Sequence, residues 1–295
     1  MPTHPVIAAI DAGGTSFNCG LVDADGDVFA TWRVATSSPD ETLTAVADAF
    51  LDAFAYHSVQ PAALGIASFG PVDIDPRSDT YGTITGTAKP GWQDTALGPR
   101  LSQALDLPFH LETDVNAALI AEMRWGAARD AASAAYMTVG TGIGVGLYLN
   151  GGLVGHPGHP EFGHIRVARH DQDLDFPGVC ALHGDCLEGL ASAEAVWARW
   201  GDPAALPADH LAWEIEAYYL AQACLNLYLA TRLDRIVIGG GLLQAAHLLP
   251  RVAVQFDQLV SNYLPVSGRT LIVPARLGLR SGVIGGALVA LNQLS

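Results

Sequence analysis

The first apolar run, Val6 to Ile10, stops at Asp11-Ala-Gly-Gly-Thr15. Such a run ending in glycines predicts a buried strand followed by a tight turn. Phe17 to Val22 and Val28 to Val34 come next, separated by Asp23-Ala-Asp-Gly26-Asp, and Asp-Gly between apolar runs predicts a hairpin. Ser38-Pro39-Asp40-Glu41 carries the signature of a helix start, with a proline in the first turn and Ser and Glu spaced as a capping box. The predicted helix turns Leu43, Val46, Ala47, Phe50, Leu51 and Phe54 to one face. Leu64 to Ser68 and Phe109 to Thr113 predict further strands of a parallel sheet, the second after a helix around residues 95–106.

The pattern then recurs. Tyr136 to Val139 runs into Gly140-Thr141-Gly142-Ile-Gly144-Val-Gly146, followed by Leu147-Tyr-Leu149 and an Asn150-Gly151 turn. An offset of 126 residues superimposes Gly14-Thr15 on Gly140-Thr141, Gly20-Leu21 on Gly146-Leu147 and Gly26 on Gly152. Repetition of strand, glycine turn, strand and hairpin predicts two similar α/β lobes. Each would present a glycine hairpin to a common cleft, a clamp suited to a nucleotide. A long apolar helix is expected over residues 208–233, then a strand Arg235 to Ile238 entering Gly239-Gly240-Gly241. The C-terminal Gly285-Gly-Ala-Leu-Val-Ala-Leu reads as a small-residue helix able to pack closely on a neighbour. The expected lobes are residues 1–116 with 283–295, and residues 117–282, hinged near Asn116 and Gly282.

Composition narrows the function classes. The chain has 295 residues, half of them apolar and 15% charged, which supports a sizeable core and argues against disorder. A net charge of −15 with no basic run excludes a nucleic-acid surface, since phosphate neutralisation needs clustered Lys and Arg. Met1 to Pro5 has no basic character and no stretch of eighteen apolar residues occurs, so neither a signal peptide nor a membrane span is expected. Four cysteines do not make a disulfide framework, and a reducing, cytoplasmic setting fits. Cys19 and Cys224 lie in apolar stretches and read as core residues.

Candidate chemistry gathers at three places. Asp11, Gly13, Gly14 and Thr15 suit phosphate: glycines let backbone amides approach oxygens, Thr15 adds a hydroxyl, and Asp11 can hold magnesium directly or through water. With Thr141-Gly142 and Gly239 to Gly241, three such turns would surround a triphosphate and its nucleoside. Thr113-Asp114-Val-Asn116 follows a predicted strand, so Asp114 is either a general base toward an attacking hydroxyl or a helix N-cap. Finally, Cys180-Ala-Leu-His183-Gly-Asp-Cys186, with histidines upstream at His164 and His170, has the ligand types of a closed structural zinc site. Glu161 and Glu188 flank it.

These segments resemble the bacterial fructokinases of the ROK family, which also contains glucokinases, acetylmannosamine kinases and sugar-responsive repressors. The resemblance rests on Asp11-Ala-Gly-Gly-Thr15, Gly65-Ile-Ala-Ser-Phe-Gly-Pro71, Tyr81-Gly-Thr-Ile-Thr, Lys89-Pro-Gly-Trp92, Thr113-Asp-Val-Asn116, Glu161-Phe-Gly-His164 and Cys180 to Ser192. It covers the chain from Ile10 to Gly241 in order. It implies a two-lobed actin-like ATPase (ribonuclease H-like) fold with a zinc-stapled loop, and phosphorylation of a hexose from ATP. Asp114 would be the base, with Glu161, His164, Glu188, Lys89 and Asn116 at the sugar. His164 would join Cys180, His183 and Cys186 on zinc, with His170 the competing fourth ligand. A homodimer is the oligomeric state the family suggests.

Three departures bear on specificity: Thr113 stands where many relatives have Asn, Ala88-Lys89 replaces Asn-Leu, and His183 replaces a cysteine. The first two tilt the reading from glucose toward fructose. Kinase action on glucose, mannose or an N-acetylated hexosamine is the alternative. A sugar-sensing regulator is not expected, because the glycine turn at Asp11 leaves no leading segment for a helix-turn-helix.

Overall fold

The computed structural model describes residues 5–87 and 89–294. Ala88 and the leading residues Met1 to His4, both used in the sequence reading, lie outside them. The chain divides into two compact units: residues up to Ala121, Gly155–His159 and those from Leu279 onward form the first, while Glu122–Val154 and Pro160–Gly278 form the second.

In the first unit, β1 (Ile7–Ala12), β2 (Ser16–Val22) and β3 (Val28–Ala35) form an antiparallel meander. The helix α1 (Pro39–His57) leads to β4 (Ala63–Ser68). A small ribbon of β5 (Thr83–Ile84) and β6 (Thr95–Ala96), then α2 (Leu97–Leu105), precede β7 (Phe109–Thr113) and α3 (Asp114–Trp125). The sheet order is β3-β2-β1-β4-β7, with β1, β4 and β7 parallel. Strand alternation sorts β1: Ala8, Ile10 and Ala12 join a core with Leu43, Val46 and Phe50 of α1 and Leu101 of α2, whereas Ile7 and Ala9 face the other way. The capping box forms, since Ser38 accepts from the Glu41 amide and the Glu41 carboxylate, lowered by its bonds to Ser38 and Ser37, returns the contact. Leu51, expected on the buried stripe, is 46% exposed; it falls beyond the edge of the stripe set by Leu43, Val46, Ala47 and Phe50. Tyr81 stacks on Phe109 at 4.9 Å, and its hydroxyl accepts from the Leu111 amide at 2.8 Å, so it satisfies the outer edge of β7.

The second unit repeats the plan. β8 (Ala134–Val139), β9 (Ile143–Leu149) and β10 (Gly152–Leu153) form the meander, and Asn150 and Gly151 make its turn with positive φ of 52° and 85°. After α4 (Leu187–Ala191), α5 (Ala193–Trp200) and α6 (Leu211–Thr231) come β11 (Arg235–Gly239), α7 (Leu248–Val260), α8 (Gly268–Leu271) and β12 (Ile272–Pro274). The order β10-β9-β8-β11-β12, with β8, β11 and β12 parallel, matches the first sheet strand for strand. The predicted duplication is therefore present at the level of topology. One detail differs: Ile143 to Gly146, read as part of a glycine turn, belongs to β9, because Ile143, Val145 and Leu147 alternate into the core. The last helix, α9 (Ser281–Leu291), returns to the first unit and packs Val283, Ala287 and Ala290 against Ile7, Ala9 and Ala63. No helix among the described residues is long and apolar enough to cross a membrane.

Buried charges tie the second unit together. Glu122 is fully buried, and its carboxylate accepts from the amides of Ala127 at 2.7 Å, Arg276 at 3.1 Å and Leu277 at 2.9 Å. Arg199 of α5 reaches Asp173 at 2.7 Å and Glu216 of α6 at 3.0 Å, and Tyr219 donates to the same Asp173 oxygen at 2.7 Å. Burial pushes the Glu216 carboxyl up to about 8, against the opposing pull of Arg199. Between the ordinary glutamate range and about 8, the folded chain holds a proton that the unfolded chain has released. This contribution to stability is thus full at low pH and is lost as pH rises through about 8. The melting temperature should decline from pH 6 to 8.5, and Glu216→Gln, which cannot ionise, should flatten that decline. Equal slopes for both proteins would show that Glu216 does not titrate in this window.

Candidate active site

The parallel strands of the first unit end in register, with Ala12 opposite Ser68 and Ser68 opposite Thr113. Three segments therefore leave one sheet edge: the turn Gly13 to Thr15, the Phe69-Gly70 segment, and Asp114 at the start of α3. Two inter-strand spacings, about 10 Å, separate the strand end at Ala12, which enters the glycine turn, from the one at Thr113, which enters Asp114. The carboxyl edge of parallel strands is where α/β sheets hold ligands.

Each carbonyl of the glycine turn is tied back. The Thr36 hydroxyl donates to Gly13 O at 2.9 Å, the Thr36 amide donates to Thr15 O at 3.0 Å, and the Lys89 ammonium donates to Gly14 O. Gly14 and Thr15 are exposed, and their amides donate to no group among the described residues. Outward amides on a turn make an anion nest. Beneath it, Asp11 accepts from Asn18 Nδ2 at 3.1 Å, and a Cβ at Gly282 would collide with its carboxylate. Burial raises the Asp11 pKa, with the Asn18 hydrogen bond pulling the other way. An enclosed carboxylate next to anion-binding amides is a donor set that fits a partly hydrated magnesium ion.

Asp114 is not the helix cap. That position belongs to Thr113, whose hydroxyl accepts from the Asn116 amide at 3.3 Å. Asp114 occupies the first helical position and accepts from the Val115 amide at 2.9 Å, where the positive end of α3 favours a carboxylate. Asn116, expected at the sugar, is fully buried. Its Nδ2 donates to Glu112 Oε1 at 3.0 Å, an oxygen that also accepts from the Thr113 amide at 2.8 Å, while Oδ1 has no hydrogen-bond partner among the described residues. Its side chain braces the strand-to-helix turn from inside. Glu112, absent from the sequence reading, is the partner. Its i, i+4 spacing to Asn116 was the available signal. Lys89, also expected at the sugar, donates from its ammonium to Gly14 O of the glycine turn.

In the second unit, β11 pairs Gly239 with Thr138 of β8, so the turns Gly140 to Gly142 and Gly239 to Gly241 leave the sheet side by side. A cavity of about 470 Å³ opens next to Gly241, lined by Leu242, Gln244, His247, Trp213 and Ala193, large enough for a nucleoside. Glu188, in the first turn of α4, accepts from the Ile143 amide at 2.9 Å, against the Gly142 turn. Glu161 precedes the short 3₁₀ turn Phe162–His164, and a Cβ at Gly163 would strike the carbonyl of Ile143. Glycine there lets Glu161 and His164 sit on the start of β9.

His164, Cys180, His183 and Cys186 converge, their ligand atoms all within 4.8 Å of one another. His164 Nδ1 lies 3.4 Å from Cys186 Sγ and 3.8 Å from Cys180 Sγ, and Cys180 Sγ lies 3.7 Å from His183 Nδ1. Tetrahedral edges built on bonds of about 2.0–2.3 Å have this length, so the four side chains fit zinc. His170 is outside the cluster: it caps the turn Asp171–Asp173 and packs on Tyr218. Burial, with Cys180 and Glu188 adding, pushes the Cys186 thiol up to about 11, so a metal taking it as thiolate must displace a proton. Arg166 pairs with Asp185, and the Leu187 amide donates to Ile165 O at 2.9 Å, binding the cysteine segment to the one carrying His164.

A profile of the ROK family matches residues 7–293. The chain belongs to the ROK family. Among ROK relatives, it is 39% identical to a fructokinase of Pediococcus pentosaceus over 287 residues, covering 97% of each chain. It is 37% identical to a fructokinase of Zymomonas mobilis over 293 residues, covering 97% of this chain and 96% of that one. A ROK hexokinase from Thermus thermophilus superposes with a TM-score of 0.78 at 26% identity, over 98% of this chain and 99% of that one. The two α/β sheets thus have the actin-like ATPase fold of solved ROK kinases.

Elemental analysis should find close to one zinc per chain. Cys180→Ser should lose it, and His170→Ala should retain it, because His170 lies outside the cluster. Full activity in zinc-free protein would remove the metal from the account, and loss of zinc from His170→Ala would reassign the fourth ligand.

Proposed function

We propose that the protein is an ATP-dependent hexose kinase acting on the 6-hydroxyl of D-fructose. One observation carries the kinase reading: the strands that lead into the glycine turn and into Asp114 leave one sheet edge two inter-strand spacings apart, about 10 Å between strand ends, with the Gly14 and Thr15 amides donating to no group among the described residues. That separation suits a terminal phosphoryl group on the turn with an acceptor hydroxyl between it and the base. The similarity to fructokinases along nearly the whole chain supports fructose as the acceptor. So does Thr113, whose hydroxyl is engaged in capping α3 and which offers no side-chain amide to a pyranose.

Asp114 accepts the proton of the 6-hydroxyl as that oxygen bonds to the terminal phosphorus. The phosphorus–oxygen bond to ADP breaks, and ADP leaves with the bonding pair. Gly14 and Thr15 amides hold the transferring oxygens. Asp11 would hold Mg2+, which would supply charge neutralisation on the phosphates. In the second unit, Thr141, Gly142 and the turn at Gly239 to Gly241, beside the cavity lined by Leu242 and Trp213, are the residues proposed to bind nucleotide. Glu161, His164 and Glu188 contact sugar hydroxyls, and the zinc cluster keeps the segment bearing them in shape.

Because the base acts on the transition state, Asp114→Asn should lower kcat by about 10²–10⁴-fold with KM for both substrates nearly unchanged. A mutant retaining more than about a tenth of wild-type kcat would leave Asp114 without a base role. A coupled ADP-release assay should give a higher kcat/KM for fructose than for glucose, mannose or N-acetylmannosamine. A glucose efficiency above that of fructose would transfer the assignment.

A further inference from the structure

Lys89 is the chain's single lysine in a protein of net charge −15. Its ammonium donates to Gly14 O, inside the turn whose Gly14 and Thr15 amides point outward. Among the described residues no arginine contacts that turn; Arg77 pairs with Asp75 at 2.9 Å and Arg100 with Asp40 at 2.6 Å. The placement is built rather than incidental. Trp92, three residues on, is fully buried, lies 5.6 Å from both Phe17 and Phe69, and donates from Nε1 to Ser37 O at 2.9 Å. The Lys89 amide is held by the Thr87 hydroxyl at 3.2 Å, and its carbonyl accepts from the Trp92 amide at 3.3 Å. A rigid indole anchor therefore fixes the backbone of Lys89 beside the turn, while its four-carbon stem leaves the ammonium able to move.

A lone carbonyl satisfies one of three ammonium donors. The remaining two are available at the point where the proposed reaction concentrates negative charge. We propose that Lys89 is a phosphate-side catalytic residue, contacting the terminal phosphoryl group of ATP during transfer, rather than a sugar ligand. This rests on the kinase reading above. The bonds formed and broken are those of that reading: oxygen to phosphorus forms, phosphorus to the ADP oxygen breaks, and the proton goes to Asp114. Lys89 adds charge at the transferring oxygens and exchanges no proton. Preorganised cations of this kind act on the transition state far more than on the ground state.

The test separates the phosphate role from a sugar role and from failure of the kinase reading itself. Wild type, Lys89→Met and Lys89→Arg are assayed for fructose phosphorylation, and fructose binding without nucleotide is measured by calorimetry. ADP with aluminium fluoride, in the presence of fructose, probes the transferring group directly. Lys89→Met should lose about 10²–10³-fold in kcat and its tight ADP–aluminium fluoride complex, while fructose affinity stays within about twofold of wild type. Lys89→Arg, which keeps the charge, should recover part of both losses. Loss of fructose affinity with kcat preserved would return Lys89 to the sugar and overturn the proposal. So would equal, uncharacteristic loss in both variants with fructose binding also gone. Wild type inactive on every hexose would instead sink the kinase reading.

Discussion

A Cβ added at Gly65 of β4 would overlap the carbonyl of Gly286, and one added at Gly285 would overlap that of Ala117 in α3. Helix α9 therefore lies with its backbone almost against the sheet, and only residues without side chains allow it. The first unit's functional edge follows from that approach. With α9 so close, the Asp11 side chain, which strand alternation sends to the same face as Ile7 and Ala9, meets the first turn of the helix at Gly282. Bulk at Gly65 or Gly286 would push the helix off the sheet and loosen β1, β4 and the glycine turn together. Close-packed interiors transmit such displacements rather than absorbing them.

Both units answer the same topological problem. A meander followed by two parallel strands delivers glycine turns to one sheet edge, and the order of strands is identical in the two sheets. The copies have diverged in detail. Ala12 pairs with Phe17 across the first turn, whereas Val139 pairs with Ile143 across a turn one residue shorter. The first turn has Lys89 and Thr36 on its carbonyls, and the second has the Glu188 carboxylate on its amide side. Among the described residues the first turn thus leaves the Gly14 and Thr15 amides without an acceptor, while the amide that follows the second turn is given to a carboxylate of the protein.

Much of this was legible in the chain because it depends on local rules. Ser38 and Glu41 announce α1 through capping, Asp11-Ala-Gly-Gly announces the turn, and the spacing of Cys180, His183 and Cys186 announces the metal cluster. The 126-residue offset exposes the duplication because glycines at turns cannot be replaced freely. What the chain hid was direction. Gly144 and Gly146 look like loop residues, yet the alternation of Ile143, Val145 and Leu147 places them on the opposite face of β9. Asn116 and Lys89 lie in the expected motifs, and their side chains reach Glu112 and the glycine turn, partners that the motifs alone do not name. His164 and His170 both lie upstream of the cysteines; family position favours His164, and in the structure its ring nitrogen converges with the cysteines while His170 caps the turn Asp171–Asp173.

Glu188 lies two residues beyond Cys186 and is hydrogen-bonded to the Ile143 amide at the end of the Gly140 to Gly142 turn. Whatever orders the cysteine segment therefore also orders that turn, and the reverse holds equally. Coupling free energies are reciprocal: a ligand seated on the turn tightens the cluster by the same factor that a metal in the cluster tightens the ligand. The affinity of the cluster for its metal would, for this chain, be a gauge of occupancy at a glycine turn in the same unit.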